Sequence, residues 1–264
     1  MRIVSTSRTI FAVTMIGLGI IGLLHHNLVS LWNPPTNSSA GSLLVAFSSL
    51  ISLAAGFGLL FRRIAGIAAR LLLATFLVWL LLFRLPNFLR LPAFAACWSV
   101  FPLAVMLAAA WVLYVWFATD WDRKYLGFVI GGNGLRIAHT LYGLCLIFFG
   151  SAHFIDLKDT LSLIPHWLPA HLFWAYFTGC AFIAAGVAAL TGIWARLAVT
   201  LSVLQLTLFL VLVWVPIVAT GSRNPFQWSE TILNAALAAG AWVVAESYSR
   251  KSVVSQQQQV DQQL

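Results

Sequence analysis

The chain has 264 residues, of which 61% are hydrophobic and only 8% charged. A soluble domain carries about 25% charged residues, so composition excludes a water-covered globular surface and points to an integral membrane protein. The formal net charge of +8 comes from basic residues scattered at segment ends, without a Lys/Arg run, so membrane topology rather than nucleic-acid binding accounts for it.

A membrane-spanning helix needs about 20 mostly apolar residues, and eight runs meet that length: 9–31, 42–61, 64–83, 92–117, 135–155, 172–194, 197–219 and 229–248. The basic start (Arg2, Arg8) and first apolar run resemble a secretion signal. No small-x-small cleavage site follows, so the run is read as an uncleaved first span. Asn33-Pro-Pro-Thr-Asn-Ser-Ser-Ala-Gly has turn-and-loop composition and separates the first two spans. The most polar internal stretch follows the fourth span: Thr119-Asp-Trp-Asp-Arg-Lys, then Gly131-Gly-Asn-Gly. The organisation expected is therefore all-α: a polytopic membrane protein with eight transmembrane helices as two tandem four-helix bundle repeats. Residues 1–118 form the first repeat, 119–134 a cytoplasmic linker, 135–248 the second repeat and 249–264 a Gln-rich tail. The tail has no apolar face to bury and is expected to be disordered.

If the N-terminus, every second loop and the C-terminus share one side, that side carries eleven basic residues, among them Arg62, Arg63, Arg70, Arg123 and Arg196. The other side carries four: Arg84, Arg90, Lys158 and Arg223. The positive-inside rule then places both termini in the cytoplasm. The halves also echo one another. Arg8, Gly22 and His25 match Arg136, Gly150 and His153 at a constant offset, and Ala54-Ala55-Gly56 matches Ala184-Ala185-Gly186. Four spans per unit insert both copies the same way up, unlike the inverted repeats of many transporters.

The second copy alone holds Ile164-Pro-His-Trp-Leu-Pro169, which the two prolines make a bend. Tyr176-x-Thr-Gly179 and a small-residue face ending at Gly186 follow; Gly150-Ser-Ala-His153-Phe lies upstream and Asn234 in the last run. This pattern resembles the DoxX-like family of small bacterial membrane proteins, over roughly the second half of the chain. The resemblance implies a helical protein of the bacterial cytoplasmic membrane, and some members resemble subunits of quinone-reducing enzymes, so a quinone is the cofactor it would suggest. Family members often carry a glutamate three residues after the Thr-Gly; here that position is Phe182, which speaks against proton-coupled redox chemistry.

The expected ligand-binding residues are His153, Asp156, Tyr176, Thr178, Glu230 and Asn234. His153 and Asp156 are three apart and share a face if their helix continues. Glu230 opens the last run with Asn234 one turn on, and a polar residue at that depth turns toward the bundle; Tyr176 and Thr178 are its expected partners. Neither catalytic nor metal-binding residues are assigned. Pro169 separates His166 from His171, and a zinc site needs at least three protein ligands. Cys97, Cys145 and Cys180 each stand alone in apolar runs and read as small hydrophobes. Arg70 is expected to snorkel to the interface, Glu246 to pair with Arg250 one turn on, and Trp32, Trp121, Trp167, Trp174, Trp194 and Trp228 to form interfacial belts. The function expected is that of a non-catalytic accessory protein, or one that binds a lipid or small apolar ligand, with membrane lipids and a membrane protein as its partners. The alternative is a membrane subunit of a quinone-linked oxidoreductase system.

Overall fold

In lipid, each backbone N–H and C=O must find its partner within the same segment, and the long apolar runs accordingly close into helices. The computed structural model describes residues 5–25, 29–32, 39–222 and 224–261, with side chains as far as Ser249. The helices are α1 (Thr6–Leu24), α2 (Ser39–Leu60), α3 (Ala65–Val78), α4 (Ala93–Trp116), the short α5 (Asp120–Tyr125), α6 (Gly131–Ile155), the short α7 (Leu157–Leu163), α8 (His171–Thr191), α9 (Ala195–Phe209), α10 (Val215–Ala219) and α11 (Pro225–Asp261). No strand occurs among the described residues. Among the described residues, seven helices are long and apolar enough to cross a membrane; two of these, Ala65–Leu89 and Ala195–Ala219, run continuously through π-helical stretches at Trp79–Arg84 and Leu210–Trp214. The proline-rich loop expected after the first span falls largely on residues 33–38, outside the described residues.

The linker is more ordered than its composition suggests. Thr119 caps α5 through a reciprocal capping box with Asp122, and α6 starts at Gly131 rather than at residue 135. At the other end of the chain, α11 continues past Tyr248 to Asp261, where a disordered tail was expected. Gln and Lys are good helix formers, and extending an existing helix is far easier than nucleating one. Residues 262–264 are outside the described set.

The closest helix pairs are α1 with α2 and α6 with α8, and glycine makes both possible. A Cβ placed on Gly150 would lie 2.5 Å from the Gly179 carbonyl oxygen and 2.9 Å from the Ile183 nitrogen. One on Gly186 would lie 2.6 Å from the Gly143 carbonyl oxygen. In the first half, Gly19 meets the Leu53 backbone and Gly56 the Ala12 carbonyl oxygen in the same fashion. Small residues let helix backbones meet where lipid gives no hydrophobic drive to associate.

The first four long helices do not close on themselves. Successive helices pack from α1 to α4, but α1 then meets α11, while α4 lies against both α6 and α11. Helix α4 is the central one, with 72% of its most apolar window buried, against 17% for the Ala195–Ala219 span. A single apolar cluster runs from Phe11 and Met15 through Val105, Met106 and Ala109 to Tyr142, Phe182 and Val244. Trp32, expected in an interfacial belt, belongs to this core: it is fully buried and stacks on Phe76 at 5.6 Å. Trp121, Trp167, Trp194 and Trp228 are exposed, as interfacial residues would be.

Replacing Gly150 or Gly186 by valine should lower stability in detergent by about 1–3 kcal/mol, as overpacking typically does, because backbone atoms cannot step aside. Gly17, with nothing within 4 Å of an added Cβ, should accept alanine without loss; thermal unfolding of the three variants provides the check.

Candidate functional site

Polar groups that reach between helices gather at the end of the bundle where α1 begins, here termed the N-terminal face. Arg70, near the start of α3, does not snorkel alone. Its Nη2 lies 2.5 Å from the Asp122 carboxylate and 2.9 Å from the Thr119 hydroxyl. Asp122 is fully buried and also accepts from the Thr119 amide (2.6 Å), the Thr119 hydroxyl (2.6 Å) and the Tyr114 hydroxyl (3.0 Å). Burial opposes its ionisation, but the hydrogen bonds from Arg70, Thr119 and Tyr114 outweigh it and hold the carboxyl well below the usual carboxylate range.

Three consecutive residues of α11 fasten the same face. The Glu246 carboxylate accepts from the Ser5 and Ser7 hydroxyls at the head of α1; the side chain of its expected partner, Arg250, is outside the described set. Ser247 Oγ is 2.7 Å from His139 Nε2 on α6. The Tyr248 ring stacks on His139 at 3.8 Å, and its hydroxyl donates to the Ala189 carbonyl oxygen of α8 at 3.4 Å. Deeper in, the Tyr142 and Ser202 hydroxyls pair at 2.8 Å. Apart from Glu246, sequence reasoning does not reach these residues because none carries a motif; an ionisable His139 inside an apolar run is the available signal.

The expected ligand residues lie toward the far face of the second half. His153 has Nδ1 2.7 Å from the Phe149 carbonyl oxygen of its own helix, and its ring packs against Phe182 and Phe209. Asp156 does not share that face: α6 stops at Ile155 and Asp156 caps its end with non-helical dihedrals. Tyr176 is 41% exposed and stacks on Phe154 at 5.6 Å. Thr178 turns its hydroxyl back to the Trp174 carbonyl oxygen (2.8 Å), while its own carbonyl accepts from Gln205 Nε2 at 3.0 Å. Glu230 is half-buried on α11.

Asn234 is a polar contact inside the bundle, with partners other than Tyr176 and Thr178. In the amide orientation its surroundings satisfy, it donates to the Leu206 carbonyl oxygen and accepts from Trp214 Nε1, both at 3.2 Å. Both partners belong to the Ala195–Ala219 span: Trp214 ends its π-helical stretch and Leu206 lies one turn before it. His153 meets the same span at Phe209. The structure thus brings His153, Asn234 and, through its carbonyl on Gln205, Thr178 to one stretch of helix and leaves Asp156 and Tyr176 in separate surroundings. Phe182 is 2% exposed and packed among Phe149, His153 and Phe209.

Among the described residues, no three His, Cys, Asp or Glu side chains converge as a metal site. Cys145 is buried, Cys97 half-buried and Cys180 exposed. Helical and without strands among the described residues, with seven candidate spans there, the chain is a polytopic α-helical membrane protein. Comparison with protein-family models, curated proteins and solved structures gives no match.

The Asp122 cluster makes a direct prediction. Asp122→Asn should lower stability by about 2–3 kcal/mol, toward the low end for a buried pair because the Arg70 side chain is 36% exposed. The folded carboxyl titrates below the unfolded one, so its contribution is complete above about pH 4 and is lost as pH falls further. Thermal melts of parent and variant should therefore converge in acid, and an unchanged gap there would rule the linkage out.

Proposed function

We propose that the protein is a non-catalytic accessory protein of a bacterial cytoplasmic membrane, holding a lipid or small apolar ligand at the far face of its second half. In this reading all eight long helices span the bilayer, α11 included, and both termini are cytoplasmic, with eleven basic residues on that side against four. The resemblance to DoxX-like proteins agrees with this architecture and rests on the sequence motifs alone.

The two halves are read as copies of one four-helix unit, interlocked through α4 and α11. The glycine contacts support the duplication: Gly19 on Leu53 recurs as Gly150 on Ile183, and Gly56 on Ile16 as Gly186 on Ile147. In that register Gly22, facing Ser49, corresponds to His153, facing Gly179. The simple sequence match of His25 to His153 is thus displaced by almost one helical turn. His153 is then an addition of the second copy, in line with the proline-framed segment that only this copy carries.

The observation that carries the ligand reading is the π-helical stretch Leu210–Trp214 lying against Asn234, with His153 close by on Phe209. A π turn widens the helix and displaces its hydrogen bonding, and such turns are common at functional sites. Access is from the lipid, past the exposed Phe154–Tyr176 stack.

Protein extracted gently and examined by native mass spectrometry should retain a lipid or apolar small molecule. Asn234→Leu and His153→Ala should each weaken retention about fivefold, the worth of one hydrogen bond, with the fold intact. Equal retention by parent and variants would overturn the assignment. A stoichiometric quinone in place of lipid would favour the quinone-linked oxidoreductase subunit.

A further inference from the structure

Residues 117–130 join two candidate spans, Ala93–Trp116 and Gly131–Ile155, so they lie where the bilayer meets water. The buried Asp122–Arg70 pair fixes which way α5 faces. With Asp122 held inward, Trp121 and Tyr125, four residues apart, project outward at 61% and 57% exposure, their rings tilted against each other at 5.2 Å. Phe128 follows at 70% exposure. Lys124 places its ammonium 5.3 Å from the Tyr125 ring centre. Beside them a recess of about 320 Å³ is lined by the apolar Val115, Ala118 and Ile130, by Gly127 and Gly131, and by Arg123 as its cation.

We propose that this linker is a docking site for an anionic phospholipid. The phosphodiester sits at Arg123 and Lys124, the glycerol backbone in the recess, and the aromatic side chains anchor among neighbouring head-groups. Exposed Trp and Tyr favour the head-group region of a bilayer, and basic groups beside membrane spans recognise anionic lipid. The charge is complementary, and the apolar walls lead onto the exposed side of α6, where Leu144 is 45% exposed and acyl chains would run. Free phosphate would gain nothing from those walls.

This site is at the opposite end of the bundle from the far-face ligand and needs only that the spans cross a bilayer, so either site can fail without the other. The test uses full-length protein in nanodiscs of phosphatidylcholine with a minority of phosphatidylglycerol, with retained lipids counted by native mass spectrometry. The parent should retain phosphatidylglycerol beyond its bulk share. Arg123→Gln should cut that enrichment about fivefold, the worth of one cation at an anionic surface. Arg62→Gln with Arg63→Gln, which removes two cations outside the recess lining, should leave it unchanged. No enrichment in the parent, an unaffected Arg123→Gln variant, or an equal loss in the Arg62/Arg63 variant would each overturn the proposal. Because the Arg123 side chain is exposed and its backbone bond to the Thr119 carbonyl oxygen does not depend on the side chain, the substituted protein should melt with the parent.

Discussion

The fold depends on helix backbones coming closer together than side chains normally allow. In a bilayer the surroundings are as apolar as the helix faces, so burial of leucine against leucine gains little, and association must come from close packing and from polar contacts. At α6/α8, the carbonyl oxygens of Gly143 and Gly179 occupy space that a Cβ on Gly186 or Gly150 would need. The consequence extends to the candidate site. A Cβ on Gly179 would stand 3.0 Å from that of His153; only because position 179 is bare can the imidazole settle between Phe182 and Phe209.

The two ends of the second half are held by different forces. At the N-terminal face, Glu246, Ser247 and Tyr248 reach α1, α6 and α8 in turn, so α11 is fixed to both halves within a single turn. Toward the far face the same helix bundle is held mainly by aromatic packing, with Phe149, His153, Phe182 and Phe209 in mutual contact. Dispersion contacts are individually weak and non-directional, whereas the polar bonds at the other end fix a geometry. A ligand at the proposed far-face site would displace ring contacts and leave intact the hydrogen bonds at the other end.

What could be read from the sequence follows from the range of the forces involved. Spans are local: a run of about 20 apolar residues forms a helix whatever lies beside it, and all seven candidate spans coincide with runs in the sequence. Which helices meet is not local. Nothing in residues 93–116 says that α4 belongs between the halves, although its alanines at 104, 108, 109 and 110, all buried, suit a helix approached from every side. Arg70 looks like a lone cation until the chain folds Asp122, 52 residues later, onto it. Asn234 was legible as an inward polar residue because depth alone dictates that direction. Its partners were not, since they depend on a π turn in another helix.

The two π-helical stretches share one property that sets the second half apart. Each contains a buried tryptophan whose indole N–H needs a partner, because an unpaired donor in an apolar interior is unfavourable. Trp79 donates to the Ser48 hydroxyl at 2.8 Å, a short side chain fixed on an adjacent helix. Trp214 instead donates to Asn234, whose amide also reaches the Leu206 carbonyl oxygen. That carbonyl already accepts from the Leu210 amide. Asn234 can therefore turn from it toward another acceptor without leaving a backbone group unsatisfied. The first half offers no such freedom at Ser48, so the adjustable polar contact and the histidine beside it both belong to the second half, where the ligand is proposed to bind.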